Sequence, residues 1–179
     1  ERQGAYGPDA PTLTVVYLNF NQRAADKRTP HPILGDVRVR QALVHALDRP
    51  VYAKALYAGY ADVPVGPASQ MLWVREPRAV PSAPFDTAKA RLLLAAAGWR
   101  DSDGDGIVDR NGEPLALRVI APSSSYARRQ IVQIAEQQWK AIGVQARIEL
   151  VEPSVFGQRR REGAFDVTAD AATQDPSPS

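Results

Sequence analysis

The chain has 179 residues, of which 44% are apolar, and a formal net charge of +2 at neutral pH. This length and composition suit one compact domain, or part of a larger protein, with a buried core. The small net charge argues against a nucleic-acid partner, and the sequence carries no nucleic-acid-binding motif. The absence of cysteine excludes disulfides, cysteine-ligated zinc and thiol catalysis.

The two ends of the chain favour a fragment of a longer protein. It opens with an irregular lead-in over 1–11, ERQGAYGPDAP, and closes with TQDPSPS. No apolar run approaches the roughly 18 residues that a membrane span requires, and no signal peptide is present. We therefore expect the source of any leader or membrane anchor to lie outside this sequence.

The first half of the chain predicts one strand followed by helices. β-Branched and aromatic residues over 12–20 predict the strand. Asp36 is a suitable N-cap for a helix whose apolar residues recur with helical spacing. A second short helix is predicted over 51–59. The apolar stripe of the first helix contains Val39, Ala42, Leu43, Ala46 and Leu47.

A proline-rich segment separates these helices from the next one. Residues 60–85 show no periodicity, so we expect an excursion without regular structure of its own. Asp86 then caps a third helix, which Gly98 ends.

The second half predicts a strand–helix–strand unit. The strand over 115–121 alternates, Ser124 or Ser125 caps the helix, and Gly143 ends it. A strand over 144–150 follows, and this order implies parallel pairing. The residues predicted to face the core are Leu117, Val119, Ala121, Ile131, Ile134, Ala135, Gln138, Ile142, Val144, Ala146, Ile148 and Leu150.

The chain ends with another helix and strand. Ser154 is the predicted N-cap of a short helix that runs to about Gly163. The segment FDVTADA, residues 165–171, predicts a last strand. The whole order of elements predicts an α/β fold.

The segment DSDGDGIVDRNGEP, residues 101–114, has the sequence pattern of a calcium-binding loop. Asp101, Asp103, Asp105 and Asp109 alternate with small residues, and Ca²⁺ prefers several oxygen ligands. The bidentate Glu expected at the twelfth position is replaced by Gly112, and a strand follows instead of a helix. The alternative is a hairpin-like turn in which the Asp side chains accept hydrogen bonds from their own backbone. The sequence leaves both open, with weak Ca²⁺ binding as one outcome and no required cofactor.

Catalysis finds little support in the sequence. His31 lies in a proline-flanked loop and is expected at the surface, and His45 lies beside an apolar helix stripe and is expected to be partly buried. Neither has a nearby partner in sequence for acid–base chemistry. No phosphate-binding loop, G-x-S-x-G or H-E-x-x-H motif occurs. We expect no enzyme.

Basic and aromatic residues have ordinary structural interpretations. Arg128–Arg129 and Arg159–Arg161 are predicted to be solvated helix faces. Trp99 and Trp139 are predicted core residues, and Trp73 is predicted to anchor the proline-rich segment or to act in a lid.

Several segments together resemble a known family. DVRVRQALVHALDRPVYAKALYAGYA, PFDTAKARLLLAAAGW, the strand ending RIELVE, and FDV followed by QDPSPS stand in the order found in extracellular solute-binding proteins for peptides and nickel. These proteins are the receptors of ABC importers. The resemblance extends from about residue 12 nearly to the end.

The resemblance implies an architecture. It implies one lobe of a two-lobed periplasmic-binding-protein fold of type II, with a mixed sheet flanked by helices. Residues 1–179 would form a single domain, most of the second ligand-binding lobe. The receptor would be a monomer outside the cytoplasmic membrane, periplasmic or extracellular, reaching the membrane only through the permease or a lipid anchor.

The resemblance also implies a ligand site. In peptide-binding members an aspartate shortly after the last strand pairs with the ligand's α-ammonium, and Asp175 stands at that place, after Thr173 and Gln174. Ala172 stands where the family usually has an aromatic residue, which implies a wider pocket. The implied function is capture of di- or oligopeptides for the permease. Alternatives are the same receptor with a metal chelate, glutathione or a sugar as cargo, and a calcium-stabilised interaction module.

Overall fold

The fold is an α/β arrangement of six strands and five helices within the described residues. The structure is a computed structural model that describes residues 14–24, 26–57, 63 and 83–173. In chain order the elements are β1 (Thr14–Phe20), α1 (Val37–His45), α2 (Arg49–Tyr57), α3 (Thr87–Ala96), β2 (Asp109–Arg110), β3 (Glu113–Pro114), β4 (Ala116–Pro122), α4 (Tyr126–Lys140), β5 (Gln145–Val151), α5 (Pro153–Glu162) and β6 (Val167–Thr173).

Four strands form one mixed sheet in the order β1-β6-β4-β5. Strand β4 runs parallel to both β5 and β6, which confirms the pairing predicted from the strand–helix–strand unit. Strand β1 is antiparallel to β6, with Thr14 opposite Thr173 and Phe20 opposite Val167. The carboxyl ends of β4, β5 and β6 therefore meet at one edge of the sheet.

The two faces of the sheet are covered by different helices. Alternation along β4 places Leu117, Val119 and Ala121 in the large core, together with buried residues of α1, α3 and α4. Ile120 points to the opposite face, where it packs with Phe156 of α5 and with Phe165. Helices α4 and α5 thus lie on opposite faces of the sheet.

Helix ends follow the predicted signals. Asp36 caps α1 through Arg38 N–H, Asp86 caps α3 through Lys89 N–H, and Ser125 caps α4 through Arg128 N–H. After α4 the chain passes through Gly143 at φ 82°, a left-handed conformation in which glycine has no Cβ to clash.

Two local predictions are wrong. Leu150 is 44% exposed, although the alternation predicted it inward, because it lies near the end of β5, an edge strand of the described sheet. Ser154 is not the N-cap of α5; Glu152 occupies that position, and Pro153 follows as the first helical residue. Proline suits this position because its missing N–H would have no helical partner there.

Two of the three tryptophans lie within the described residues. Trp99 and Trp139 are 3% and 0% exposed, which confirms their predicted core positions. The lead-in over 1–11, Trp73 and all of the segment 60–85 except residues 63 and 83–85 lie outside the described residues. Among the described helices, none is long and apolar enough to cross a membrane.

Candidate functional site at the carboxyl edge of the sheet

The carboxyl edge of the parallel strands is the candidate site. In open α/β sheets, ligands bind in the crevice outside the carboxyl ends of the strands. Here the ends of β4 and β5 are tied together, because Ser123 N–H donates to the Val151 carbonyl at 2.8 Å. Leu150 and Tyr126, both exposed apolar residues, lie near the carboxyl end of β5 and at the start of α4, respectively.

Strand β6 brings two of the predicted ligand residues to this edge. Ala172 and Thr173 are exposed at its end. The Thr173 hydroxyl lies 2.9 Å from the Thr14 hydroxyl, so one hydrogen bond joins the ends of β6 and β1. Gln174 and Asp175 lie outside the described residues, so their predicted roles stay predictions.

A buried carboxylate lies two residues before Ala172, on the same face of β6. Asp170 is 2% exposed, and its carboxylate accepts a hydrogen bond from the Thr168 hydroxyl at 2.8 Å. It also pairs with Arg160 of α5, Nη1 to Oδ1 at 3.4 Å. An ionised carboxylate in this position requires such partners, since an unpaired buried charge is strongly unfavourable.

Two guanidinium groups converge on one aromatic ring near the edge. Arg128, in the first turn of α4, and Arg160 each lie 5.8 Å from the centroid of Phe156. These two arginines were predicted to lie on solvated helix faces, but each also contacts the Phe156 ring. Arg159 beside them forms an ion pair with Glu149.

A second carboxylate, Asp166, lies at the opposite end of β6 and is bound on several sides. His31 is 9% exposed and donates from Nε2 to Asp166 Oδ1 at 3.0 Å. The other carboxylate oxygen accepts from Arg118 N–H. Burial alone would raise the pKa of Asp166, but the hydrogen bonds from His31 and from Arg118 N–H, together with the nearby charge of Arg118, lower it below its usual value.

The expectation of a surface histidine at position 31 is wrong. His31 Nδ1 accepts hydrogen bonds from Ile33 and Leu34 N–H, at 3.2 and 3.0 Å. These bonds fix the tautomer with the proton on Nε2, which faces Asp166. The partner lies 135 positions away in sequence, so no local pattern indicates it. With both ring nitrogens engaged in structural bonds, His31 serves to hold a loop to the sheet.

His45 is more buried than expected, at 5% exposure. Its Nδ1 donates to the Pro84 carbonyl at 2.8 Å, because a carbonyl can only accept. This bond ties the start of the third helical segment to α1.

The acidic loop brings three of its four predicted ligands together. Carboxylate oxygens of Asp101, Asp103 and Asp105 all lie within 4.8 Å of one another, and all three residues are exposed. Asp109 does not join them, because its carboxylate accepts from Ser102 N–H at 2.9 Å and from the Ser102 hydroxyl at 2.6 Å. The hydrogen bond from the hydroxyl, followed by that from the backbone, lowers the pKa of Asp109.

The same loop also has the hairpin features of the alternative interpretation. Strands β2 and β3 pair antiparallel around Asn111 and Gly112, which have φ of 58° and 78°. Asp101 accepts from Gly104 and Gly106 N–H, so its side chain stabilises the turn itself. A hairpin is therefore present, and the calcium hypothesis stays a prediction with three carboxylates instead of four.

One groove of the described residues lies elsewhere. It has a volume of about 420 Å³ and runs between β1 and α1, lined by Tyr17, Phe20, Val37 and Arg40 among others. It is open and lies to the side of the sheet, away from the converging strand ends. We place the candidate site at the carboxyl edge because the strand directions and the charged groups meet there.

Comparison with known proteins identifies the family. Residues 1–179 match the family described as bacterial extracellular solute-binding proteins, family 5 Middle. The chain belongs to this family.

Relatives within the family include peptide receptors. The chain is 30% identical over 159 residues to the oligopeptide-binding protein AppA of Bacillus subtilis, covering 88% of this chain and 28% of AppA. It is 28% identical over 155 residues to the dipeptide-binding protein of Escherichia coli, covering 87% of this chain and 26% of the relative. The chain thus spans little more than a quarter of the length of these relatives.

Solved structures share the fold. AppA in complex with a nonapeptide matches with a TM-score of 0.82 at 26% identity, over 93% of this chain and 32% of AppA. NikZ from Campylobacter jejuni in complex with Ni(L-His) matches with a TM-score of 0.77 at 25% identity, over 93% of this chain and 31% of NikZ. The mixed sheet flanked by helices is therefore that of a solute-binding protein, as predicted.

Sequence reasoning does not identify four residues around β6. It gives no role to Asp166 or Asp170, and it predicts Arg128 and Arg160 only as surface charges. The available signal was the pair of acidic residues inside an otherwise apolar strand segment, FDVTAD. A charge at a strand position flanked by buried residues demands a partner, although the sequence alone does not say which one.

Proposed function

We propose that the full-length protein captures di- or oligopeptides outside the cytoplasmic membrane and delivers them to the permease of an ABC importer. The likeness to AppA, in sequence and in a structure solved with a nonapeptide, carries this proposal. The role requires binding and no catalysis. Peptides of varied sequence can be held through their main chain and termini in roomy, hydrated pockets.

Asp175 is the proposed partner of the peptide's α-ammonium group. Strand β6 ends at Thr173 on the carboxyl edge, and Asp175 follows two positions later. A carboxylate there would form a charge-assisted hydrogen bond with an amine, which is stronger than a neutral one. Ala172 is small and exposed at the end of β6, and the lack of an aromatic side chain there would leave space for a ligand side chain.

The remaining features of the receptor are proposals of the same kind. Residues 1–179 would form one domain, most of the second lobe, and the complete receptor would close around its ligand as a monomer. Attachment to the membrane would come from the permease or from a lipid anchor outside this sequence.

A different cargo is the second candidate. NikZ shares this fold and was solved with a nickel–histidine complex, so the fold accommodates a chelate. The candidates are separated by mass spectrometry of what the purified full-length protein retains, followed by a thermal-shift screen with peptide and Ni(L-His) libraries. Retained peptides and peptide-induced shifts support the first; shifts with the chelate alone would overturn it.

Substitution of Asp175 tests the site itself. Asp175→Ala in the full-length protein should weaken peptide binding by about 10–100-fold, since hydrogen bonds to charged groups contribute roughly 1.5–3 kcal/mol. Glu113→Ala, which removes an exposed acid of β3, is the control. Equal affinity of the two variants by calorimetry would remove Asp175 from the site.

A further inference from the structure

We propose that Arg118, Arg147, Lys27 and Arg161 form a docking surface for an acidic helix of a protein partner. These four residues, the basic patch, lie on the side of the sheet that α5 covers in part. Docking there is independent of the cargo, because the patch lies away from the carboxyl edge. The strand register, the pairing of the surrounding carboxylates and the polar character of the patch support this assignment.

Arg118 and Arg147 are direct neighbours on adjacent strands. The parallel pairing of β4 with β5 sets their Cα atoms opposite each other. The residues that flank them in the chain belong to the large core or pack against it: Leu117, Val119, Ala146 and Ile148. Alternation therefore directs both arginines to the opposite face, where both are exposed. Like charges directly opposite on strands about 4.8 Å apart destabilise a sheet by themselves.

The carboxylates nearest to these two arginines are already engaged. Glu149 of β5 pairs with Arg159 of α5. Asp166 accepts one hydrogen bond from His31 Nε2 and another from the Arg118 backbone N–H. Among the described residues, neither strand arginine forms an ion pair. The two guanidinium charges therefore repel each other without a carboxylate of this lobe between them.

The donors of Arg147 meet one uncharged acceptor among the described residues. Its Nε and Nη2 lie 3.2 and 3.0 Å from Gln145 Oε1. An amide oxygen orients the guanidinium but does not compensate its charge. Arg147 is thus held in place on an exposed sheet face with donors left for a carboxylate.

Two further cations extend the patch at the end of α5. Lys27 Nζ donates to the Arg161 carbonyl at 3.0 Å, and both residues are exposed. Shortly after α5 ends, the Asp166 backbone N–H donates to the Arg118 carbonyl at 3.0 Å, which holds this end of the helix beside β4. Glu162 is an exposed acid in the last turn of α5. Cations still outnumber acids across the patch.

The composition of the patch favours a protein partner over a membrane. None of the large hydrophobic residues that are exposed in the described part of the chain belongs to it, so it lacks the apolar anchor of a membrane-surface site. A guanidinium fork matches the planar carboxylate group. Arginines about 4.8 Å apart suit carboxylates at positions i and i+4 of a helix, whose Cβ atoms are about 5–6 Å apart. The expected partner surface is therefore an acidic helix.

The position of the patch keeps it apart from the candidate ligand site. Arg118 lies in the first half of β4, and Arg147 lies at the paired position of β5. Each strand continues for about 13 Å beyond its arginine before it reaches the carboxyl edge. An acidic partner can therefore bind whether or not the receptor holds its cargo.

A defined acidic peptide tests this surface on the full-length protein. The probe is a fluorescent, alanine-based helical peptide with Glu pairs at i and i+4, and its neutral counterpart has Gln at the same positions. Fluorescence anisotropy measures the affinity of each. We expect the Glu peptide to bind about tenfold more tightly than the Gln peptide at low salt, and to lose this advantage as salt screens the charges.

Substitutions assign the binding to the patch. Arg118→Gln combined with Arg147→Gln should weaken the Glu peptide by about fivefold, because two exposed ion pairs are lost. Arg100→Gln combined with Lys140→Gln is the matched control, since it removes the same charge from exposed residues outside the patch. The control should change the affinity by less than about twofold. Lysine at both strand positions keeps the charge and should retain part of the affinity.

Thermal unfolding separates docking from a structural role. Because Arg118 and Arg147 repel each other, the double Gln variant of the full-length protein should unfold at the wild-type temperature or about 1–3 °C higher. A fall of more than about 3 °C would show that the pair serves the fold and would overturn the docking role.

Other outcomes would also contradict the docking surface. It is wrong if the Glu peptide does not bind, if the Gln peptide binds equally well, or if the control variant loses as much affinity as the patch variant. Patch-dependent binding to phosphatidylglycerol vesicles without binding of the Glu peptide would replace the protein partner with an anionic lipid surface. None of these results depends on the cargo, so the proposed receptor function is tested separately.

Discussion

Asp166 and Asp170 belong to the same short segment of chain, yet they lie in opposite kinds of environment. Asp166 is held by a buried histidine and by a backbone N–H, all within the lobe. Asp170 is more deeply buried, but its charge partner Arg160 is 45% exposed at the candidate ligand edge. Burial alone therefore does not distinguish the two carboxylates. What distinguishes them is the partner: both ring nitrogens of His31 are already bonded within the fold, whereas the side chain of Arg160 is partly open to solvent.

The largest expected effect is on Asp166. Asp166→Asn places an amide where two donors now meet two acceptor oxygens, so one buried donor loses its acceptor. We expect the full-length protein to lose about 2–4 kcal/mol of unfolding free energy in this lobe's transition, measured by urea unfolding. If Asp166→Asn lost less unfolding free energy than Asp170→Asn, the proposed contrast between the two carboxylates would be wrong.

Acid provides an independent test of Asp166. Its pKa is lowered in the folded protein, so its contribution to stability is present above the usual carboxyl pKa and is lost as pH falls through the folded value. The stability difference between wild type and Asp166→Asn should therefore shrink below about pH 4. A difference that is constant from pH 6 to pH 2.5 would show that ionisation of Asp166 does not matter.

Asp170→Asn should act on binding more than on stability. Arg160 is 45% exposed, and the amide oxygen introduced by Asp170→Asn would keep the Thr168 hydroxyl as its donor, so loss of the ion pair alone should change the unfolding free energy by no more than about 1 kcal/mol. The peptide affinity of the full-length protein should nevertheless fall, because Arg160 loses the carboxylate that holds it at the candidate site. Calorimetry and urea unfolding on the same variant separate these effects, and a change in stability without a change in affinity would show that Asp170 has no role in binding.

The smallest effect concerns the exposed carboxylates of the acidic loop. If Asp101, Asp103 and Asp105 hold Ca²⁺ weakly, 1 mM calcium should raise the unfolding temperature by about 1–3 °C, and EDTA should reverse the shift. Asp103→Ala should abolish the response, whereas Asp109→Ala should retain it because Asp109 bonds to Ser102. An unchanged temperature in EDTA would leave the loop as a hairpin only.

Much of the fold could be predicted from the sequence because its signals are local. Asp36, Asp86 and Ser125 are caps in the structure, and Gly143 ends α4. Alternation along 115–121 identified the buried face of β4. The same local logic failed at Leu150, because the pattern does not show where a neighbouring helix stops covering an edge strand.

The candidate site was predicted less completely. The resemblance placed ligand residues at the end of the last strand, and the structure brings Ala172 and Thr173 to the carboxyl edge. It could not indicate Arg128 or Arg160, since their shared contact with Phe156 joins two helices on opposite faces of a sheet.

The sequence by itself determined the family, the α/β order of elements, the helix caps and the acidic turn, because these depend on residues a few positions apart or on contiguous sequence motifs. Only the tertiary structure decided that His31 is buried against Asp166 and that Arg160 is held by Asp170 beside Arg128. Those partners come from separate segments whose approach is set by strand order and by which face each helix covers. The order of charges along the sequence does not specify which of them pair, because the pairs depend on how the strands and helices are assembled.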